Sequence, residues 1–100
     1  MTNRLVQLTQ IGQTGRSEDI DTLMQLLAQK DDLLTTKLVD NALNQVDTLQ
    51  GCLRIQHYLF NGELIQRNFA ALYFKRRGRT DLLVEAVAQG KIDEIQAFLV

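Results

Sequence analysis

Leucine, isoleucine, valine and alanine recur along this chain at spacings of three and four residues, and this period predicts helices with one buried face each. The first segment runs from about Asn3 to Gln10, with Leu5, Leu8 and Ile11 on one face and Gly12 and Gly15 ending it. Gly15-Arg16-Ser17 reads as a turn, with Ser17 the N-cap of a second helix and Glu18 and Asp19 at its positive end. That helix carries Ile20, Leu23, Met24 and Leu27 and stops near Lys30. Asp31-Asp32 opens a third, whose stripe is Leu34, Leu38, Ala42, Leu43 and Val46, and Asp47-Thr48 marks its boundary. The fourth places Leu49, Cys52, Leu53, Gln56 and Leu59 on one face, with Phe60 at its end. Gly51 lies inside it, at a cost of about 1 kcal/mol against alanine, and there permits a close neighbour.

Asn61-Gly62 is a turn signal flanked by helical period rather than alternation, so it joins helices and not hairpin strands. The fifth helix, Glu63 to Arg77, has Ile65, Phe69 and Leu72 as its apolar line and Ala70 and Ala71 for tight packing. Lys75, Arg76 and Arg77 followed by Gly78 form a helix C-terminus signature. Thr80-Asp81 caps the sixth helix, with Leu83, Ala86 and Val87 inward and Gly90 at its end. Ile92-Asp93 starts the seventh, with Ile95, Phe98 and Leu99 apolar. The expected core is Leu23, Leu27, Leu38, Leu53, Phe69, Leu72 and Leu83. Absence of proline and sparse β-branched and aromatic residues agree with an all-α class.

The layout repeats. Helix pairs begin near residues 3, 32, 62 and 92, and second helices near 18, 48 and 80, which divides a single all-α domain into units 1–31, 32–61 and 62–91 with a final helix 92–100. Leu23 to Gln29 (LMQLLAQ) matches Leu83 to Gln89 (LVEAVAQ) in kind. Leu8 to Asp32 and Ile65 to Asp93 share an apolar first helix, a glycine turn, a Leu-rich second helix and an aspartate before the next unit. In this the chain resembles HEAT-type helical repeats in their short form, as in phycobilisome lyase-type repeats. It departs from them at Thr35 and Thr36, where the family has an arginine, and in the middle unit, which has no glycine turn. The resemblance implies stacked antiparallel hairpins, an α-solenoid fragment, and a protein–protein interaction role. A compact α-helical bundle of the same hairpins is the alternative architecture.

Composition limits the chemistry. One hundred residues, 45% hydrophobic and 23% charged, suit one soluble domain. No apolar run approaches the roughly 20 residues of a membrane span, and Met1 to Arg4 lacks the apolar core of a secretion signal, so the expected location is the cytoplasm, without membrane contact. The single cysteine, Cys52, excludes an internal disulfide and reads as a small buried apolar residue of the fourth helix. The single histidine, His57, has no ligand or base partner at helical spacing and reads as a surface residue. The carboxylates gather at helix starts (Glu18-Asp19-Asp21, Asp31-Asp32, Asp81, Asp93-Glu94), where capping and the helix dipole explain them. The glycine turns 12–15 and 78–80 lack a phosphate loop's Gly-Lys-Ser/Thr ending. No nucleophile–base pair or metal set stands out, so the expectation is a protein that is not an enzyme and needs no cofactor.

Charge placement changes the picture most. The net charge is −1, yet residues 54–79 hold six basic side chains (Arg54, Arg67, Lys75, Arg76, Arg77, Arg79) against one acidic, Glu63. Tyr58, Phe60, Tyr73 and Phe74 lie among them. Part of this block serves the fifth helix's C-terminus, and part can pair with acidic neighbours. Its candidate binding surface is Arg67, Tyr73, Arg76, Arg77 and Arg79, meeting an acidic protein, with Tyr73 and Phe74 as apolar anchors if they stand exposed. Self-association into a homo-oligomer is a further use of such a surface. The alternative function is a small nucleic-acid-binding α-helical protein gripping backbone and bases through the 54–79 block.

Overall fold

The computed structural model describes residues 3–30 and 32–99, and every regular element among them is helical. In chain order they are α1 (Arg4–Thr14), α2 (Ser17–Gln29), α3 (Leu33–Leu43), α4 (Leu49–Asn61), α5 (Leu64–Arg76), α6 (Thr80–Ala88) and a π-helical turn, Ile95–Leu99. The all-α class is therefore established. Of the residues named from the sequence, Met1, Thr2, Asp31 and Val100 lie outside those described. The chain forms two compact units, Met1–Ile55 and Gln56–Val100, with the boundary inside α4.

In the first unit, local chemistry sets the helix ends. The Asn3 side chain accepts from the Val6 N–H, and the Asp32 side chain accepts from the Thr35 N–H, so each satisfies a donor that an open helix start leaves free. Gly15 closes α1 in the left-handed conformation, φ 65°, which glycine adopts without steric cost. Two expectations are corrected here. Gly12 does not end α1; it lies inside the helix, and a Cβ there would overlap the Ala42 carbonyl oxygen of α3. Ser17 is not the cap of α2 but its first residue. Arg16 holds the cap position, and the Ser17 N–H donates instead to Gln50 Oε1 at 3.2 Å.

α3 packs against both α1 and α2. Four side-chain links within the first unit join residues 32 or 33 apart. Asn41 donates to Thr9 at 3.1 Å, 32 residues apart. Thr48 donates to the Gly15 carbonyl at 2.6 Å and Arg54 to Asp21 at 2.7 Å, each 33 residues apart, as are Ser17 and Gln50. The core holds Leu8, Ile20, Leu23, Met24, Leu27, Val39, Leu43, Val46 and Ile55, each large side chain contributing ~1.5–3 kcal/mol on burial.

The second unit is built on the α5–α6 hairpin. Glu63 and Gln66 form a reciprocal capping box at the start of α5, with the Glu63 N–H donating to Gln66 Oε1 at 2.8 Å. Gly78, φ 68°, permits the turn out of α5, and the Arg79 N–H closes it on the Phe74 carbonyl at 3.0 Å. Arg79, not Thr80, is the N-cap of α6. The Ile95–Leu99 turn packs on α5 and also touches α6, and Gln96 donates to the Asn68 carbonyl at 3.3 Å. Leu59, Ala70, Ala71, Tyr73, Phe74, Leu83, Ala86, Ile92 and Ala97 are buried.

Of the expected core, Leu23, Leu27 and Leu83 are buried, Leu38, Phe69 and Leu72 are half-buried, and Leu53 is 54% exposed. In α4 the buried line is Gly51, Ile55 and Leu59, at i, i+4 and i+8, and Leu49 and Leu53 face solvent. Among the described residues no helix is long and apolar enough to cross a membrane.

Candidate functional site

A groove of about 680 Å³ lies between α1 and α2. Arg4, Gln7, Leu8, Ile11 and Thr14 line it from α1, and Asp19, Thr22 and Leu26 from α2. Steps of three and four residues put each set on one side of its helix. On α1 that side is about half a turn away from Thr9 and Gly12, which touch α3. The α1–α2 hairpin is thus packed on one side and open on the other. Buried Leu8 and half-buried Ile11 and Leu26 form an apolar floor. Arg4, Gln7, Gln10 and Thr22 are exposed around it.

One end of the groove is held by a polar knot. The Thr14 hydroxyl bonds the Asp19 carboxylate and accepts from the Arg16 N–H at 3.3 Å. Arg16 Nε donates to Asp19 Oδ2 at 3.1 Å. The Thr14 hydroxyl and then the Arg16 guanidinium hold the Asp19 carboxyl below its ordinary range, against the opposing pull of partial burial. Asp19 is therefore an ionised, occupied carboxylate and not a proton donor near neutrality.

The basic block is distributed differently from its sequence reading. Tyr73 is 2% exposed and Phe74 fully buried, their rings edge-to-face at 5.0 Å, so neither is an apolar anchor for a partner. Arg77 stacks over the Tyr73 ring at 3.8 Å. Arg79 forms a two-pronged bond with Asp81, both contacts at 3.1 Å, and draws the Asp81 carboxyl below its ordinary value. Arg54 belongs to Asp21. Arg67 is half-buried, and its Nε has no hydrogen-bond partner among the described residues. Arg76, Arg77 and Arg79 are exposed. The structure brings Tyr73 and Arg77 into contact and leaves the block without surface aromatics at 73 and 74.

His57 is exposed, edge-on to Tyr58 at 5.5 Å with Asn61 beside it, and Cys52 is half-buried rather than fully buried. Among the described residues no three His, Cys, Asp or Glu side chains converge as metal ligands. The groove itself was not read from the sequence. Its signal was present in Ile11 beside Gly12, a large apolar residue next to one that demands close packing. Neighbours on a helix point about 100° apart, so both cannot serve the same contact.

In comparisons with family models, with curated proteins and with solved structures, nothing matches this chain.

Proposed function

We propose that this chain is a non-catalytic helical-repeat protein, HEAT-like in organisation, that acts by docking another protein. The observation that carries the reading is the open α1–α2 groove, whose apolar floor and polar, charged rim have the anatomy of a protein interface. Helices are recognised in such grooves through residues spaced at i, i+3, i+4 and i+7. The offset of 32 or 33 residues shared by four links within the first unit supports the repeat organisation. So does the parallel between α3, set on the α1–α2 hairpin, and Ile95–Leu99, set on the α5–α6 hairpin. A cytoplasmic location belongs to the same reading. The exposed Arg76 and Arg77 are its electrostatic component, a separate contact for an acidic protein surface.

Capture from extracts of the native host tests the reading. A protein retained by the wild-type chain should be lost with Ile11→Glu and with Leu26→Gln, while Glu85→Gln, at an exposed position of α6, retains it. Retention by both groove variants, with helical content intact, would remove the groove from the account.

A further inference from the structure

We infer that the occupant of the α1–α2 groove is the 93–99 segment of a second copy of this chain, so that copies join head to tail. The inference rests on the groove reading above and adds the identity of the partner.

In the first unit, α3 lies against both helices of the α1–α2 hairpin on one side, and the other side of that hairpin is the open groove. The Ile95–Leu99 turn already behaves as an element of α3's kind, because it lies against both helices of the α5–α6 hairpin. Only one of its sides is used there. Ala97 is buried, while Ile95, Phe98 and Leu99 are 59%, 47% and 79% exposed. In a π-helical turn, whose backbone bonds run from i to i+5, Ile95 and Leu99 fall nearly one turn apart and Phe98 lies beside Leu99, all three exposed while Ala97 is buried. An apolar side of this size on a short turn, and an apolar floor of Leu8, Ile11 and Leu26 in an open groove, are complementary in kind.

Charge gives the orientation. Arg4 lies at the start of the groove, and the exposed Asp93 and Glu94 precede the apolar side of the turn. With the turn laid parallel to α1, the acidic pair meets Arg4 and Phe98 and Leu99 meet Leu8 and Ile11. The two surfaces are different patches of the same chain, so the contact is heterologous. Each single contact leaves one groove and one turn unfilled, which further copies occupy or which meet when the assembly closes into a ring.

Sedimentation velocity of the purified chain over a wide concentration range reads the assembly. The wild type should grow beyond a monomer with concentration. Ile11→Glu and Phe98→Glu should each weaken growth ~tenfold or more. Both sites are at least partly exposed, and circular dichroism checks that each variant keeps its helical content. An equimolar mixture of the two variants is the decisive arm: one keeps its groove and the other its turn, so the mixture should give a dimer that grows no further. Arg4→Glu should weaken assembly and Glu94→Arg in the same chain should restore it. A wild type that stays monomeric, variants that assemble normally, or a mixture that fails to dimerise would each overturn the inference. A monomeric wild type whose host-protein capture is still lost with Ile11→Glu would overturn this inference alone and leave the docking function standing.

Discussion

Gly12 shows how much one hydrogen atom in place of a methyl group decides here. The helix continues through it, and the missing side chain lets the Ala42 carbonyl of α3 come against α1. Gly12→Ala should therefore force the two helices apart and cost ~1–3 kcal/mol as overpacking, read as a lower denaturation midpoint. Gly78→Ala meets no neighbouring atom but must adopt a positive φ, so its effect should come from backbone strain alone. The Asp32 carboxylate has a different role at the start of α3. The Thr35 N–H and hydroxyl hold its carboxyl below the ordinary value, so the folded state favours the ionised form. That stabilisation is present above the unfolded value of about 4 and is lost as the pH falls through the lower folded value. Denaturation midpoints followed from neutral to acid pH should fall less steeply below about pH 4 in Asp32→Ala than in the wild type. Identical pH profiles would show that Asp32 does not carry this linkage. Capping by Asp32 was legible from the Asp-Asp pair before an apolar run. The Ser17 cap was misassigned because its replacement, Gln50, comes from 33 residues away.

At the scale of the element, helix order and approximate positions were read better than helix ends and faces. α4 is the clearest case. Leu49 and Leu53 offer one apolar line and Ile55 and Leu59 another, and hydrophobicity alone does not choose between them. Gly51 decides, because a Cβ at that position would press on Val46, Thr48 and the Gly15 carbonyl. The helix must turn that side inward, and Ile55 and Leu59 follow at i+4 and i+8. α3 misleads for a related reason: Leu33 and Leu34 in its first turn are exposed while Thr35, bonded to Asp32, is buried. Leu53→Gln should accordingly shift stability by no more than ~0.5 kcal/mol, and Ile55→Ala should cost ~2–5 kcal/mol. Equilibrium denaturation of the pair gives the order directly, and the reverse order would return the buried face to Leu53. In α5 the heaviest loss falls on Phe74, fully buried, and not on Phe69, half-buried. Phe74→Ala should cost ~3–5 kcal/mol, a large share of the ~5–15 kcal/mol that holds a domain folded.

At the scale of the whole molecule, the contacts that join residues 32 and 33 apart lie within the first unit, where they support the proposed repeat organisation. Helix order and class were legible because they follow from local patterning. The groove left only a hint, Ile11 beside Gly12, because its shape depends on how α1 and α2 pack together and not on the pattern of either helix alone. The basic block was legible as charge and misleading as a surface: Tyr73 and Phe74 went into the core, and Arg79 found Asp81 two residues on. The central claim is therefore that this protein works through the open side of its first hairpin. A photo-crosslinking amino acid placed at Gln10, on the groove rim, and irradiated in the native host measures it most directly, with Glu85 on α6 as the comparison position. The account predicts a discrete covalent adduct with a protein chain, this chain or another, from position 10 and none from position 85. No adduct at position 10, or the same adduct from both positions, would contradict it.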